Sequence, residues 1–190
     1  NDFSGLGRVI LRKNIVEIED PIYGKVKKNV LYQDMINKSN TIYEIRYDFD
    51  LNGAEITIPE ECILEFKGGS LNNGVIIGNC TSIDTGYNRI FNSIELVGNW
   101  NVNKSIPQWF GAKGDGVNDD SEAIQLAINF AEKNKHTACT YLPAGIYSIH
   151  STIVIGKYGI STFKGESKHR SVIIAKGDIG IKANEEAGNS

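Results

Sequence analysis

Three aspartates crowd one short stretch: Asp115, Asp119 and Asp120. Paired carboxylates hydrolyse glycosides when an acid and a base stand several ångströms apart across a sugar. Here Asp115 lies between Gly114 and Gly116, where turn chemistry favours it. Asp119 and Asp120 stand at the start of a helical pattern, where carboxylates cap free amides. All three read as structural, and no complete catalytic site is expected in this chain. Gly111, Gly114 and Gly116 do not form a phosphate loop, since the spacing is wrong and no Lys-Ser/Thr pair follows. They read as positive-φ positions of a tight loop. Glu60-Glu61 and Glu185-Glu186 are too isolated for calcium-assisted chemistry, which needs clustered carboxylates and a base. His136 follows the helix as a polar C-terminal residue, and His150 and His169 lie near turns. Trp100, Trp109, Phe110, Tyr141, Tyr147 and Tyr158 could stack on sugars. Trp109 and Phe110 directly precede the tight loop and should pack under the helix, which leaves Trp100 as the freest candidate for ligand contact.

The elements that would position these residues are mostly short strands. The chain has 190 residues, 41% of them hydrophobic, with 20 Gly and 4 Pro. Its net charge of -3 is interspersed, and the densest basic run is Lys25, Lys27 and Lys28. Nucleic acid is therefore not the expected partner, because a phosphate-binding face needs clustered cations. Cys62, Cys80 and Cys139 are widely separated, which argues against a disulfide framework or a structural zinc site. They read as small core residues, and no metal or cofactor is expected. No apolar run approaches the ~20 residues of a membrane helix, and no signal peptide is visible.

Residues 1–42 read as an irregular arm. Val9-Ile10-Leu11 and Ile15 to Ile18 are short strands in it, and Gln33 to Asn37 is a helical turn or an irregular link. Residues 43–105 carry small apolar clusters separated by Asn-Gly, Gly-Gly and Gly-Asn turns. This pattern suits the coils of a parallel β-helix, in which no coil buries its apolar face alone. On a coil of ~20 or more residues, Glu55 to Gly98 holds about two coils. Residues 106–190 form an opening module with the one clear helix. Asp119 is its expected N-cap, with Glu122 three residues on, and Lys133 and Lys135 close it. Ile124, Ala127, Ile128 and Ala131 share a face that should cover an open sheet edge. Beyond it come Thr140 to Leu142, a Pro143-Ala144-Gly145 turn, and further short strands at Ile146, Ile153, Phe163 and Val172. Stacking becomes regular only here, and the chain reads as part of a longer protein.

The run Gly111-Ala112-Lys113-Gly114-Asp115-Gly116-Val117-Asn118-Asp119-Asp120-Ser121-Glu122-Ala123-Ile124-Gln125, followed by Tyr141-Leu142-Pro143-Ala144-Gly145-Ile146-Tyr147, resembles the signature of the pectate-lyase superfamily. That signature marks the start of right-handed parallel β-helices in polygalacturonase-like enzymes and phage tail spikes. The resemblance implies an all-β, right-handed parallel β-helix with one short capping α-helix. It gives Gly111, Gly114, Asp115, Gly116, Asp119, Asp120, Pro143 and Gly145 a structural role. The enzymes on this scaffold also carry an Asn-x-Asp, an Asp-Asp pair deep in the coils, a Gly-His-Gly and an Arg-x-Lys, and none stands here in that context. Asn40 to Leu51, then Ile56 to Pro59 and Phe66 to Ser70, resemble segments of tail spikes and fibres from phages of Bacteroides-type gut bacteria, crAss-like phages included. The resemblance implies the proximal part of a virion tail spike or tail fibre, a homotrimer. It would be anchored to the phage tail or baseplate through its arm and would carry a distal host-glycan-binding or depolymerising β-helix, through which it meets host surface polysaccharide. The second expectation is the N-terminal part of a secreted or cell-surface bacterial polysaccharide lyase or glycoside hydrolase. A third is a glycan-binding β-helix without catalysis.

Overall fold

A computed structural model describes residues 6–134, 139–159 and 161–184. The chain divides into two compact units. The first comprises residues 1–86 and 90–101, the second residues 87–89 and 102–190.

The N-terminal unit is a piece of parallel β-helix. Its strands are β1 (Gly7–Ile10), β2 (Ile15–Asp20), β3 (Gly24–Asn29), β4 (Thr41–Ile45), β5 (Phe49–Asp50), β6 (Glu55–Thr57), β7 (Ile63–Phe66), β8 (Leu71–Asp84) and β9 (Phe91–Trp100). All pair in parallel except the β2–β3 hairpin. Register gives the coil length directly. Ile42 pairs with Ile63 and Ile63 with Ser82, steps of 21 and 19 residues. Phe49 pairs with Leu71 and Leu71 with Phe91, steps of 22 and 20. A parallel register in which each step is one coil stacks like on like, so the apolar positions form inward columns. Phe49, Leu71 and Phe91 make one column; Ile56, Ile76 and Leu96 make another. All six are buried, and each contributes about 1.5–3 kcal/mol by leaving water. The Phe66 and Phe91 rings meet edge to face at 5.7 Å.

The corners repeat as well. Asn40, Glu61 and Cys80 have φ of 48°, 56° and 52°, and Asn52, Asn73 and Ser93 have 52°, 57° and 52°. These are two left-handed corners, each used once per coil. Asparagine tolerates that region, while glutamate meets its steric cost of about 1–2 kcal/mol. Glu61 is exposed, so Glu61→Asn is expected to raise stability by up to ~1 kcal/mol in urea unfolding. A variant no more stable than the parent would show that the corner is not strained.

Residues 7–36 differ from the expected arm. β1 lies parallel on β4, and the Leu31 amide donates to the Asp50 carbonyl at 3.0 Å. Leu11, Val30, Leu31 and Ile36 are buried. Residues on both sides of position 42 fall within the same compact unit. The β2–β3 hairpin pairs antiparallel, apart from the stacked strands, with Ile22 and Tyr23 exposed at its tip. Gln33, in a short 3-10 turn (Gln33–Met35), closes a strand edge. Its Nε2 donates to the Thr57 carbonyl at 2.9 Å, and its Oε1 accepts the Thr57 amide at 2.8 Å. A side-chain amide thus stands where the previous coil would offer a peptide. On the β1–β4–β7 face, Glu44 and Glu65 pair in register and are both buried. Arg8 bridges them, and Arg46 and Lys67 each take one carboxylate. Stacked like charges are tolerated there because cations alternate with them.

The C-terminal unit is a second piece of parallel β-helix with longer coils. It contains β10 (Lys104–Ser105), β11 (Asp115–Asp119), α1 (Ser121–Lys133), β12 (Cys139–Leu142), β13 (Gly145–Ile149), β14 (Ile153–Ile155), β15 (Phe163–Gly165), β16 (Ser171–Ala175) and β17 (Ile181–Ala183). Three parallel sheets form its faces: β10-β12-β15, β11-β13-β16 and β14-β17. Among the described residues α1 is the one α-helix. Ile124, Ala127 and Ile128 are fully buried on its inner face, with Ala123 and Phe130 beside them. Phe110 packs on Phe130 at 6.3 Å, and Trp109 is buried, as the sequence leads one to expect.

Candidate functional site

The signature residues of the opening module converge on one turn. A 3-10 turn, Pro107–Phe110, ends at Gly111 with φ 108°, and the Gly111 amide donates to the Gln108 carbonyl. Gly114 and Gly116 also have positive φ. A Cβ on Gly114 would lie 3.3 Å from the Tyr147 ring, and one on Gly145 would lie 3.0 Å from the Gly114 carbonyl. Tyr147 is fully buried. Its hydroxyl donates to the Pro143 carbonyl at 2.9 Å and accepts from Gln108 Nε2 at 2.7 Å. Burial is the main influence on that phenol and raises its pKa.

Each aspartate is held by amides. Asp115 Oδ1 accepts the Val117 and Asn118 amides at 2.9 Å each, and its Oδ2 accepts the Asn118 side chain. These bonds, the Asn118 amide first, lower its pKa. Asp119 Oδ1 accepts the hydroxyl and the amide of Ser121, and these bonds lower its pKa. Asp120 differs. It is 1% exposed, with Lys113 and Gly114 amides on separate carboxylate oxygens at 2.6 and 3.1 Å. Burial dominates and raises its pKa. A raised acid beside lowered ones is the electrostatic profile of a glycosidase pair. Accessibility decides against it, because Asp120 is sealed and both its oxygens are taken.

Asp119 was the expected N-cap. The helix instead begins one residue later: Asp120 occupies the N-cap position and its carboxylate turns away to Lys113 and Gly114. Asp119 reaches over it to the Ser121 amide.

One Ser-His-Asp grouping does arise. Ser148 Oγ is 3.2 Å from His150 Nε2, and the His150 amide donates to Ser121 Oγ at 2.8 Å and to Asp119 Oδ1 at 3.3 Å. Ser148 is fully buried, and Asp119 meets the His150 backbone. A nucleophile needs substrate access and a base oriented through its other ring nitrogen. His169 is exposed in a turn, and His136, Lys135 and Glu185-Glu186 lie outside the described residues. Among the described residues no group of three or more His, Cys, Asp or Glu could hold a metal ion, and no helix is long and apolar enough to cross a membrane.

Trp100, expected as the freest aromatic, is 1% exposed. Its indole lies over Gly78, and its Nε1 donates to the Val97 carbonyl at 2.8 Å. Glycine at 78 leaves the space the ring fills. Among the sugar-stacking candidates the side chain that does face solvent is Tyr158, 43% exposed. It lies on a groove of about 570 Å³ beside α1, lined by Gln125, Asn129, Val154, Lys157, Tyr158 and Asn184.

Two residues that shape this groove were not singled out from the sequence. Gln125 Oε1 accepts the Val154 amide and its Nε2 donates to the Val154 carbonyl, each at 2.8 Å. Glu132, buried on the helix, accepts the Gly156 and Tyr158 amides at 2.6 and 3.0 Å. The one available signal was a glutamine and an asparagine four apart on one helix face.

Residues 101–188 match the family model described as rhamnogalacturonase A/epimerase, pectate lyase-like. The pectate-lyase resemblance of the opening turn therefore extends over the C-terminal unit. An uncharacterized 65.4 kDa protein in the cps region of Klebsiella pneumoniae is 41% identical over 58 residues, 30% of this chain and 10% of that protein. Depolymerase 1, capsule K30/K69-specific, of Klebsiella phage K5-2 is 39% identical over 75 residues, 40% of this chain and 9% of that protein. The chain spans about a tenth of the length of these curated relatives. No solved structure matches it.

Proposed function

We propose that this chain is the proximal part of a phage tail spike or tail fibre, with a capsule-directed β-helix carried beyond it. The likeness of a 75-residue stretch of this chain to a phage capsule depolymerase carries this reading. The hydrogen-bonded aspartates of the opening turn fit a stacking scaffold better than a catalytic centre. In this role the chain is a homotrimer in the virion tail. Its N-terminal coil faces the baseplate, and host surface polysaccharide meets the distal part. The segments around Asn40 to Ser70 favour a phage of Bacteroides-type bacteria.

Likeness to a Klebsiella cps-region protein favours a second reading, a bacterial surface or secreted polysaccharide-degrading protein. Mass spectrometry of purified phage particles separates the two. Peptides of this chain in particles, with light scattering of the released full-length protein at three times its own polypeptide mass, are expected. Peptides found only in the culture medium of a phage-free bacterium would replace the virion reading with the second.

A further inference from the structure

We propose that the β2–β3 hairpin is a contact between copies of this chain, in which β2 of one copy pairs antiparallel along β3 of the next. This rests on the homotrimer reading above and names the surface through which its copies meet.

The hairpin is a two-stranded sheet of six-residue strands. Two strands alone are marginally stable in water, and further strands stabilise them. One hydrogen bond shows which peptide groups line the outer edges. The Val30 amide donates to the Asn14 carbonyl at 2.9 Å, which puts residues 14 and 30 at a bonded position of the ladder. Bonded and non-bonded positions alternate along an antiparallel pair. Glu17 with Lys27, and Glu19 with Lys25, therefore stand at non-bonded positions. Their amides and carbonyls point away from the hairpin, toward a neighbouring strand.

Charge decides what these edges accept. The β2 edge carries Glu17 and Glu19, the β3 edge carries Lys25 and Lys27, and all four are exposed. Charges of one sign on an edge normally block strand addition. Here β2 against β2 would oppose carboxylates, and β3 against β3 would oppose ammonium groups. Only β2 against β3 sets opposite charges across the new ladder. In the register that the hairpin itself uses, Glu17 meets Lys27 of the next copy and Glu19 meets its Lys25. A second copy of this chain is thus the partner that supplies both matching edges. Each copy gives one edge and takes the other, so the contact is heterologous and is completed by closing a ring. Antiparallel pairing also sets every hairpin tip at the same end. Ile22 and Tyr23, 79% and 78% exposed, then gather with their counterparts instead of facing water.

The test uses the full-length polypeptide, with Glu19→Cys in one set of copies and Lys25→Cys in another, co-expressed and mildly oxidised. Residues opposed at a bonded position lie ~5.5 Å apart between Cα atoms, within disulfide reach. The mixture should give a disulfide-linked pair at about ten times the yield of E19C alone, K25C alone or the parent, because like-charged edges do not meet. Adding Lys27→Glu to the K25C copies should lower the yield about fivefold, since residue 27 faces Glu17 of the neighbour. Adding Glu17→Lys to the E19C copies should then restore it. Within each copy these changes break the same Glu17–Lys27 match, so a role confined to folding the hairpin predicts a further loss instead. In the parent, the amides of Glu17, Glu19, Lys25 and Lys27 should be protected from hydrogen exchange, which the hairpin's own ladder cannot do. Equal yields from the mixture and from either variant alone, a further loss with E17K, or free exchange of those four amides would overturn the proposal. Any of these in protein that light scattering finds at three times its polypeptide mass leaves the tail-spike reading standing, whereas a monomer sinks both.

Discussion

Trp100→Ala is expected to lower the stability of the N-terminal unit by about 3–5 kcal/mol, the usual range for truncating a buried aromatic. The indole is 1% exposed and is bonded to the Val97 carbonyl. It occupies the space left by Gly78, one coil earlier. Gly78→Ala approaches the same contact from the other side: its Cβ would lie 2.6 Å from the indole. Real Cβ atoms do not sit that close, so the ring or the backbone must shift. In a double-mutant cycle the two changes should be strongly non-additive, with Gly78→Ala costing far less once the indole is gone. Urea unfolding followed by far-ultraviolet dichroism measures both. A loss under ~1 kcal/mol for W100A would show that the ring is dispensable to the core and would restore it as a surface candidate.

The second large effect concerns Asp120. Asp120→Ala leaves the Lys113 and Gly114 amides without their acceptors, at about 1–3 kcal/mol for each amide that water cannot reach. Asp120→Asn is not a gentle substitute, since one oxygen cannot serve two amides held by separate carboxylate oxygens and the new NH2 would face a donor. Its pH dependence is diagnostic. Burial raises the folded-state pKa of Asp120 above its unfolded value, and the charge of Asp115 adds to this, while the two amides act against it. A raised carboxyl pKa means that the folded state disfavours ionisation. The stability owed to this group is therefore greatest below the unfolded pKa and declines as pH rises through the folded one. The parent's advantage over D120N should be larger in acid than at neutral pH. Asp115 and Asp119, whose lowered pKa values act with the opposite sign, are present in both proteins and cancel. An advantage that grows toward neutrality would mean that the amides outweigh burial and that Asp120 is held as an anion.

The two glutamines show how far local sequence can be read. Gln33 and Gln125 stand in different units, yet each pairs both ends of its amide with one strand residue, Thr57 and Val154. Thr57 and Val154 pair downstream with Ile77 and Lys182, so in each case the glutamine fills the upstream side. Nothing in the spacing of Gln33 to Thr57 announces this, because the coil alone brings them together. The arm shows the same limit. Val9 to Leu11 and Ile15 to Ile18 are legible as strands, but that β1 would lie on β4 was not, since its partner is 34 residues away at Gly7–Thr41.

By itself the sequence determined whatever depends on neighbours within a few residues. Short strands, asparagine and glycine corners, a one-sided helix over Phe110, and the tight turn around Gly111 to Gly116 all follow from local sterics, hydrogen bonding and periodicity. The tertiary structure alone decided which polar or aromatic group ended inside. Trp100 is buried because Gly78 lies one coil away, Asp120 is sealed because the turn folds back on it, and Tyr158 is exposed because Glu132 pins its loop. In a parallel coil each side chain meets residues about twenty positions distant. Burial, and with it every pKa and every accessible donor, is therefore set by stacking that no local pattern encodes.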